Sequence, residues 1–389
     1  MGADSATDPY LAYARLREQG PVQQVFLRAG LPCWVVTRYA EARKALADPR
    51  LSRDPRCARP EWNRADRGRP LEDASDLGVH MLTTEPPDHT RLRRLVSSHF
   101  GVRRAADLIP RLNETANALI DRFAGRGEAD LIADYAYPLS ITVICEILGI
   151  PEKDFAIFRQ WTSNAVRPGP EDVPEPGPYL RELVAAKRHA PADDLIGHLT
   201  TAADHGEITE VELESMIFLL LLAGHEGSVA LIGNGVLALL ADQGQRELLY
   251  ADPRLLHSAV EEVLRHDGPM ELAAWRFATE PVELGGALIE PGDPVVIALA
   301  AAHRDPSRFT EPDRLDITRP DLAHLGFGHG VHYCLGAPLA RAEGAVALET
   351  VLRRLPDLAL ARPAESLPRQ HSDIVRGLHE LPVRFTPTR

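Results

Sequence analysis

The stretch Gly326–Arg341, G-F-G-H-G-V-H-Y-C-L-G-A-P-L-A-R, constrains this chain more than any other. Gly326, Gly328 and Gly330 alternate with Phe327, His329 and Val331, and Cys334 follows, just ahead of an Ala-rich helical pattern. Glycine at every second position suits a backbone that bends sharply or lets a flat ligand come close. The turn delivers Cys334 to the N-terminal end of the helix, where unpaired N–H groups and the helix dipole favour a thiolate. A thiolate in a glycine-walled turn suits a soft metal, heme iron being the main case. The same residues admit two other readings. One is a buried free cysteine beside a Gly-rich turn. The other is zinc on His329, His332 and Cys334, which lacks a fourth ligand at matching spacing.

The segment F-G-H-G-V-H-Y-C-L-G resembles the cysteine-loop signature of the cytochrome P450 family, F-G-x-G-x-H-x-C-x-G, at every fixed position. The likeness runs from about Pro9 to the end and is nearest to the soluble bacterial class. It implies a mainly α fold with small β-sheets, as one cytochrome P450 domain over residues 1–389. It also implies heme b (iron protoporphyrin IX) bound through Cys334, with Phe327 and Gly328 against it. Molecular oxygen would be the oxidant, with electrons from a separate ferredoxin and a ferredoxin reductase that uses NAD(P)H. No reductase is expected to be fused, because the chain ends shortly after the heme segment.

Composition narrows the class further. A chain of 389 residues, 44% hydrophobic and 25% charged, allows a large core. The N-terminus M-G-A-D-S-A-T-D-P-Y has neither a basic region nor an apolar run, and Met216–Gly224 is too short to span a bilayer. Cys33, Cys57, Cys145 and Cys334 lie far apart, as reduced thiols would. The expectation is a cytoplasmic protein with no membrane association. A net charge of −13 opposes nucleic-acid binding but leaves room for a local basic patch. Two proline-rich stretches, Pro49–Pro70 and Pro168–Pro178, read as long surface loops of the kind that form lids.

Helical periodicity dominates. It predicts helices over Asp88–Phe100, Ala105–Ala124, Leu139–Leu148, Glu152–Ala165, Tyr179–Arg188, Ala192–Ala203, Leu248–Tyr250 and Leu255–His266. A long one, capped by Thr209, runs to about Leu240. Strand signals are few: Val22–Leu27, Cys33–Thr37, Ala274–Ala278, Val282–Leu284, Pro294–Ala300 and Leu381–Phe385.

His89 and Arg93, four apart, share one helix face. On their own they read most simply as part of a solvated cationic face. In the family a helix here carries H-x-x-x-R and binds heme propionates, and P-D-H-T-R-L-R-R matches it. Arg276 and His332 match two further propionate contacts, and such cations suit a partly shielded carboxylate. Glu262-Val-Leu-Arg265 is E-x-x-R on a helix. Read as a surface pair, it contributes a few tenths of a kcal/mol, about the usual value. In the family this motif pairs with an arginine in a later P-x-R meander, here Pro312-Asp313-Arg314, so Glu262, Arg265 and Arg314 are assigned a structural role.

The long helix carries the most informative departure, Ala223-Gly224-His225-Glu226-Gly227-Ser228 in a run of Leu, Ile, Val and Ala. Each glycine costs a helix about 1 kcal/mol against Ala, so a bulge, a kink or close ligand approach is expected. A packing notch with Glu226 reaching solvent is the alternative. The family pattern A-G-x-[DE]-T-[TS] has an acid–alcohol pair that helps deliver protons to bound oxygen. Glu226 matches the acid, Gly227 stands where the alcohol belongs, and Ser228 is turned about 100° away. These three are the candidate catalytic residues, with the usual proton route in doubt.

Pocket candidates follow from where the family gathers substrate contacts. They are Trp62 to Leu82 (Trp62 and Met81 above all), Phe158 and Trp161, then Leu219, Leu222 and Ala223. Met270, Glu271, Leu272 and Ala273 join them, with Asp373, Ile374 and Val375. Glu271 and Asp373 hint at a substrate with polar groups. The leading expectation is a heme-thiolate monooxygenase hydroxylating a small or medium secondary metabolite. Thiolate donation from Cys334 promotes O–O cleavage. The alternatives are oxidative C–C or C–N coupling without oxygen insertion, and a non-enzymatic heme sensor.

Overall fold

The computed structural model describes residues 9–26, 30–63, 76–155, 157–158, 161, 175–370 and 374–388. Residues 64–75 of the first pocket segment, residues 168–174 of the second proline-rich stretch and Asp373 lie outside them. So do residues 156, 159–160 and 162–165 of the helix expected over Glu152–Ala165, whose described part is a 3-10 turn at Glu152–Asp154 followed by helical residues at 155, 157–158 and 161.

In chain order the helices are α1 (Tyr10–Gln19), α2 (Tyr39–Ala47), α3 (Pro60–Asn63), α4 (Asp88–Ser97) and α5 (Val102–Asp121). Then come α6 (Tyr137–Leu148), α7 (Pro176–His189), α8 (Leu195–Asp204), α9 (Glu210–Ala223) and α10 (Glu226–Ala241). The last four are α11 (Gln243–Ala251), α12 (Leu256–His266), α13 (Leu299–Ala302) and α14 (Ala337–Arg354). Four of these, α5, α10, α12 and α14, pack on one another around α14. Their apolar faces merge with those of α4, α6, α8 and α9 into one large core.

The strands are β1 (Val22–Phe26), β2 (Pro32–Val36), β3 (Leu51–Ser52), β4 (Glu128–Asp130) and β5 (Arg276–Ala278). They continue with β6 (Val282–Leu284), β7 (Ala287–Ile289), β8 (Pro294–Ile297), β9 (Ala359–Leu360) and β10 (Pro382–Arg384). One sheet has the order β1-β2-β8-β5-β3, with only β2–β8 parallel. A three-stranded sheet, β4-β10-β9, and the hairpin β6-β7 complete the set. The expected strand Pro294–Ala300 stops at Ile297, and the small alanines after it turn into α13. The expected loop at Pro49–Pro70 is ordered at its start, where Leu51 and Ser52 pair with Ala278 and Phe277.

The long helix is two helices. Thr209 caps α9 as expected, its hydroxyl accepting from the Glu212 N–H while the Glu212 carboxylate accepts from the Thr209 N–H. The run breaks at Gly224 and His225. By composition Glu210–Ala241 is apolar enough to cross a membrane, but 78% of its apolar window is buried inside the protein, as in a core helix.

Candidate active site

The cysteine turn is built as its glycines require. Gly328 and Gly330 have φ of +74° and +78°, the left-handed region that favours glycine. A Cβ on Gly330 would lie 2.9 Å from the Leu46 carbonyl, where the turn crosses the end of α2. The Cys334 N–H donates to the Phe327 carbonyl at 2.8 Å and closes the turn, and α14 starts three residues later. Cys334 is accessible as a residue, although protein crowds around it. Burial raises its pKa, while the N–H groups of Gly336 and Ala337 and the charges of Arg93 and Arg341 lower it. The donors expected at the helix start are therefore present but do not outweigh burial; a bound cation would supply what is missing. Among the described residues no group of three or more His, Cys, Asp or Glu is arranged to hold a metal ion, so the zinc alternative gains no support.

Four expected cations gather beside the turn. The His89 and His332 rings are 4.5 Å apart, and Arg93, one helical turn beyond His89, donates to the Tyr333 carbonyl at 2.7 Å. Arg276 is buried, donating to the Leu51 and Leu46 carbonyls at 3.1 and 3.0 Å. Neither ring nitrogen of His89 nor Nε of Arg276 has a hydrogen-bond partner among the described residues. Burial lowers Arg276 to about 9 and holds His89 below its ordinary value. Buried donors left unpaired are costly, and an acidic group such as a heme propionate would satisfy them. His332 differs from expectation: its Nε2 faces the Glu85 carboxylate at 3.2 Å, and burial lowers it to about 4. A neutral ring donates that hydrogen bond. Nothing in the sequence singled out Glu85, which also accepts from the Arg53 N–H at 2.7 Å.

Behind the turn, Glu262 and Arg265 form a fully buried bidentate pair at 2.7 and 2.8 Å. The expected third member is corrected. The side chain of Arg314 turns outward to Glu311, and Arg314 contributes its carbonyl to Arg265 at 3.0 Å. Arg319 brings its guanidinium to Glu262 instead, at 3.4 Å.

On the facing helix the two glycines differ. A Cβ on Gly224 would lie 2.4 Å from the Leu220 carbonyl and 2.5 Å from Ile144, so Gly224 is a packing notch against α6. A Cβ on Gly227 would meet nothing within 4 Å. Ala223 is exposed and Glu226 half-buried on this stretch of an otherwise buried run. The buried His225 places Nδ1 2.9 Å from the Leu221 carbonyl. Its Nε2 lies 3.3 Å from Glu226, an ion-pair distance without hydrogen-bond alignment. Ser228 is buried and bonds to Glu343 of α14, which also accepts from Ser140. Burial raises Glu343 to about 7, the two hydroxyls and His225 only partly offsetting it. As its helical position suggested, Ser228 does not replace the alcohol missing at Gly227. Sequence reasoning missed Glu343, an acid in a helix whose buried face reads as simply apolar.

The pocket candidates divide. Met270 bridges Val375, and the Glu271 N–H donates to the Ile374 carbonyl at 3.1 Å, so these two segments run side by side. Leu272 bridges Ala298. The turn Asp76–Gly78, ahead of Met81, packs on α9, the helix of Leu222 and Ala223. Three of the candidates are tied to partners within the fold. Trp62 is core, stacked edge-on against Trp275 and Phe277 at 4.8 and 6.2 Å. Trp161 is buried against Phe158 and Tyr179 at 5.1 and 5.3 Å. The Glu271 carboxylate accepts from the Tyr13 hydroxyl at 2.7 Å, which gives its place among apolar neighbours a structural cause.

Comparison with known proteins agrees with this geometry. The cytochrome P450 family model matches residues 243–358. Cytochrome P450 monooxygenase PikC of Streptomyces venezuelae is 45% identical, covering 99% of this chain and 93% of its own. The 6-deoxyerythronolide B hydroxylase of Saccharopolyspora erythraea is 42% identical over 97% of this chain and 96% of its own. A myxobacterial cytochrome P450 solved with myristic acid superimposes with a TM-score of 0.93 at 42% identity, covering 98% of both chains. Identity at this level along nearly the whole length, on top of a glycine turn that carries Cys334 beside buried nitrogen donors without partners among the described residues, makes the chain a member of the cytochrome P450 family, an oxidoreductase acting with molecular oxygen and heme b.

Proposed function

We propose that the chain hydroxylates a small or medium secondary metabolite, in the cytoplasm, with electrons from a ferredoxin and its reductase. The observation that carries this reading is the Ala223–Gly227 stretch, where a buried apolar helix opens and presents a half-buried acid. When bound, heme supplies oxygen activation through its Cys334 thiolate. His89, Arg93 and Arg276 anchor its carboxylates. Leu222 and Ala223, with the paired segments Met270–Leu272 and Ile374–Val375, line the approach and exclude water. His225 Nε2 stands 3.3 Å from the Glu226 carboxylate at the break, and Glu226 is the acid that reaches the open face.

For electron delivery, Arg103, Arg104 and Arg353 are exposed cations, whereas Arg341 is engaged by Glu261. Reduction by an acidic ferredoxin therefore slows as salt rises, because exposed charges are screened over about 8–10 Å. Gly227 favours a second reading, oxidative C–C or C–N coupling, since the residue that normally assists proton delivery lacks its hydroxyl. Turnover under isotopically labelled dioxygen decides: label in the product means hydroxylation, and a new C–C or C–N bond without label means coupling.

A further inference from the structure

Glu261 stands one residue before the E-x-x-R glutamate, about 100° around α12, and its carboxylate has different partners. Arg341 donates to it from Nε at 2.6 Å and from Nη2 at 3.0 Å. His324 reaches the same carboxylate through Nε2 at 3.1 Å. The His324 tautomer is fixed by its other nitrogen, since Nδ1 accepts the Gly326 N–H at 3.0 Å and so Nε2 carries the hydrogen. One carboxylate thus ties the residue ten places before Cys334 to the residue seven places after it. Burial pushes Glu261 up, but the bonds from His324 and Arg341 outweigh it and hold it at about 2. The Arg341 guanidinium lies 4.5 Å over the Phe327 ring and 3.2 Å from the Tyr333 hydroxyl, and its charge acts on Cys334.

We infer that Glu261 and Arg341 are a charge-compensating positioning pair that sets the reduction potential of the iron held by Cys334. The pair is only partly shielded, with side-chain exposures of 12% and 28%, yet Arg341 stacks on the ring next to the turn, where screening is weaker than in water. With both present the cation near the sulfur is nearly cancelled. Removing the carboxylate leaves an uncompensated positive charge, which favours the reduced state because reduction adds an electron. Removing the guanidinium leaves an uncompensated negative charge, which disfavours it. His324 holds the carboxylate in place.

The inference rests on thiolate ligation by Cys334, which the wild-type CO complex establishes first, so its failure leaves that reading intact. The test is potentiometric titration of the heme-loaded wild type, Glu261→Gln, Arg341→Gln and the double variant, alongside the thiolate band of each CO complex. The expected result is a rise in potential for Glu261→Gln, a fall for Arg341→Gln, and a double variant near the wild type. Shifts of the same sign, or none, overturn the inference, since simple loosening of the turn moves both single variants the same way. If Glu261→Gln fails to hold heme, Arg341→Lys against Arg341→Gln decides. A wild-type potential in the lysine variant and a lowered one in the glutamine variant support charge compensation, whereas equal potentials overturn it.

Discussion

The cysteine turn and the break between α9 and α10 are both glycine-marked segments at the start of core helices, yet they are held in opposite ways. The turn is fixed from every side. Gly328 and Gly330 take left-handed backbone, Glu261 clamps both of its ends, and the Leu325 N–H donates to His303 Nε2 at 2.9 Å. Burial holds His303 well below its ordinary value, so that nitrogen stays an acceptor. The break is anchored by His225, whose Nδ1 meets the Leu221 carbonyl and whose carbonyl accepts the Val229 N–H, and it has an open side at Gly227. A residue that must be a ligand is over-determined; a segment that must admit oxygen, water and substrate keeps free space. Packing enforces the first, and an unfilled position permits the second.

The sharpest way to break this contrast is Cys334→Ala. It should abolish turnover and the strongly red-shifted Soret band of the reduced CO complex. An ordinary imidazole-type spectrum in the wild type would sink the assignment of the turn. Next in size are Arg93→Ala and Arg276→Ala, each removing a charged hydrogen bond of about 1.5–3 kcal/mol. Heme occupancy measured after dilution should fall in each and further in the double variant; full occupancy there would reject the propionate role.

Glu343 tests what lies behind the break. Its folded value of about 7 exceeds the ordinary 4.5, so its contribution to stability is fully present below about pH 4.5 and is lost as pH rises through 7. The difference corresponds to about 3 kcal/mol. Glu343→Gln should remove that slope, so melting temperatures measured from pH 5 to 8 should show the variant gaining on the wild type. Parallel profiles would mean that Glu343 does not titrate in this range.

The two glycines of the break give smaller and opposite effects. Gly224→Ala overpacks against Ile144 and should cost about 1–3 kcal/mol in denaturant unfolding. Gly227→Ala has room and should be neutral or gain up to about 1 kcal/mol from helix propensity. In the same open space, Gly227→Thr should reduce peroxide leakage on poor substrates. Leakage unchanged for every substrate tried would reduce Gly227 to a helix irregularity without a part in proton delivery.

Much of this was legible in the chain. The cysteine turn, the His89/Arg93 helix face, the E-x-x-R pair, the Thr209 cap and the expectation of a break near Gly224 all depend on residues within a turn or two of one another. Left-handed backbone asks for glycine, and a helix repeats every 3.6 residues, so such requirements leave a local pattern. Trp62 and Trp161 were not legible in this way, because a large aromatic serves a core and a pocket equally well and its packing partners lie far along the chain or in another element.

What the tertiary structure alone decided are pairings between distant residues. Arg319 rather than Arg314 reaches Glu262 across 57 positions, and Arg341 meets Glu261 across 80. His332 turns to Glu85 across 247. A charged residue carries the same letter whether it faces solvent or a buried partner. Its partner is chosen by how helices and loops pack, which no periodicity records. The sequence by itself determined where the proposed iron ligand, Cys334, stands and which backbone turn delivers it, because those demands are local and steric. The field around that ligand, and the open face opposite it, were decided by chain segments brought together only when the core closed.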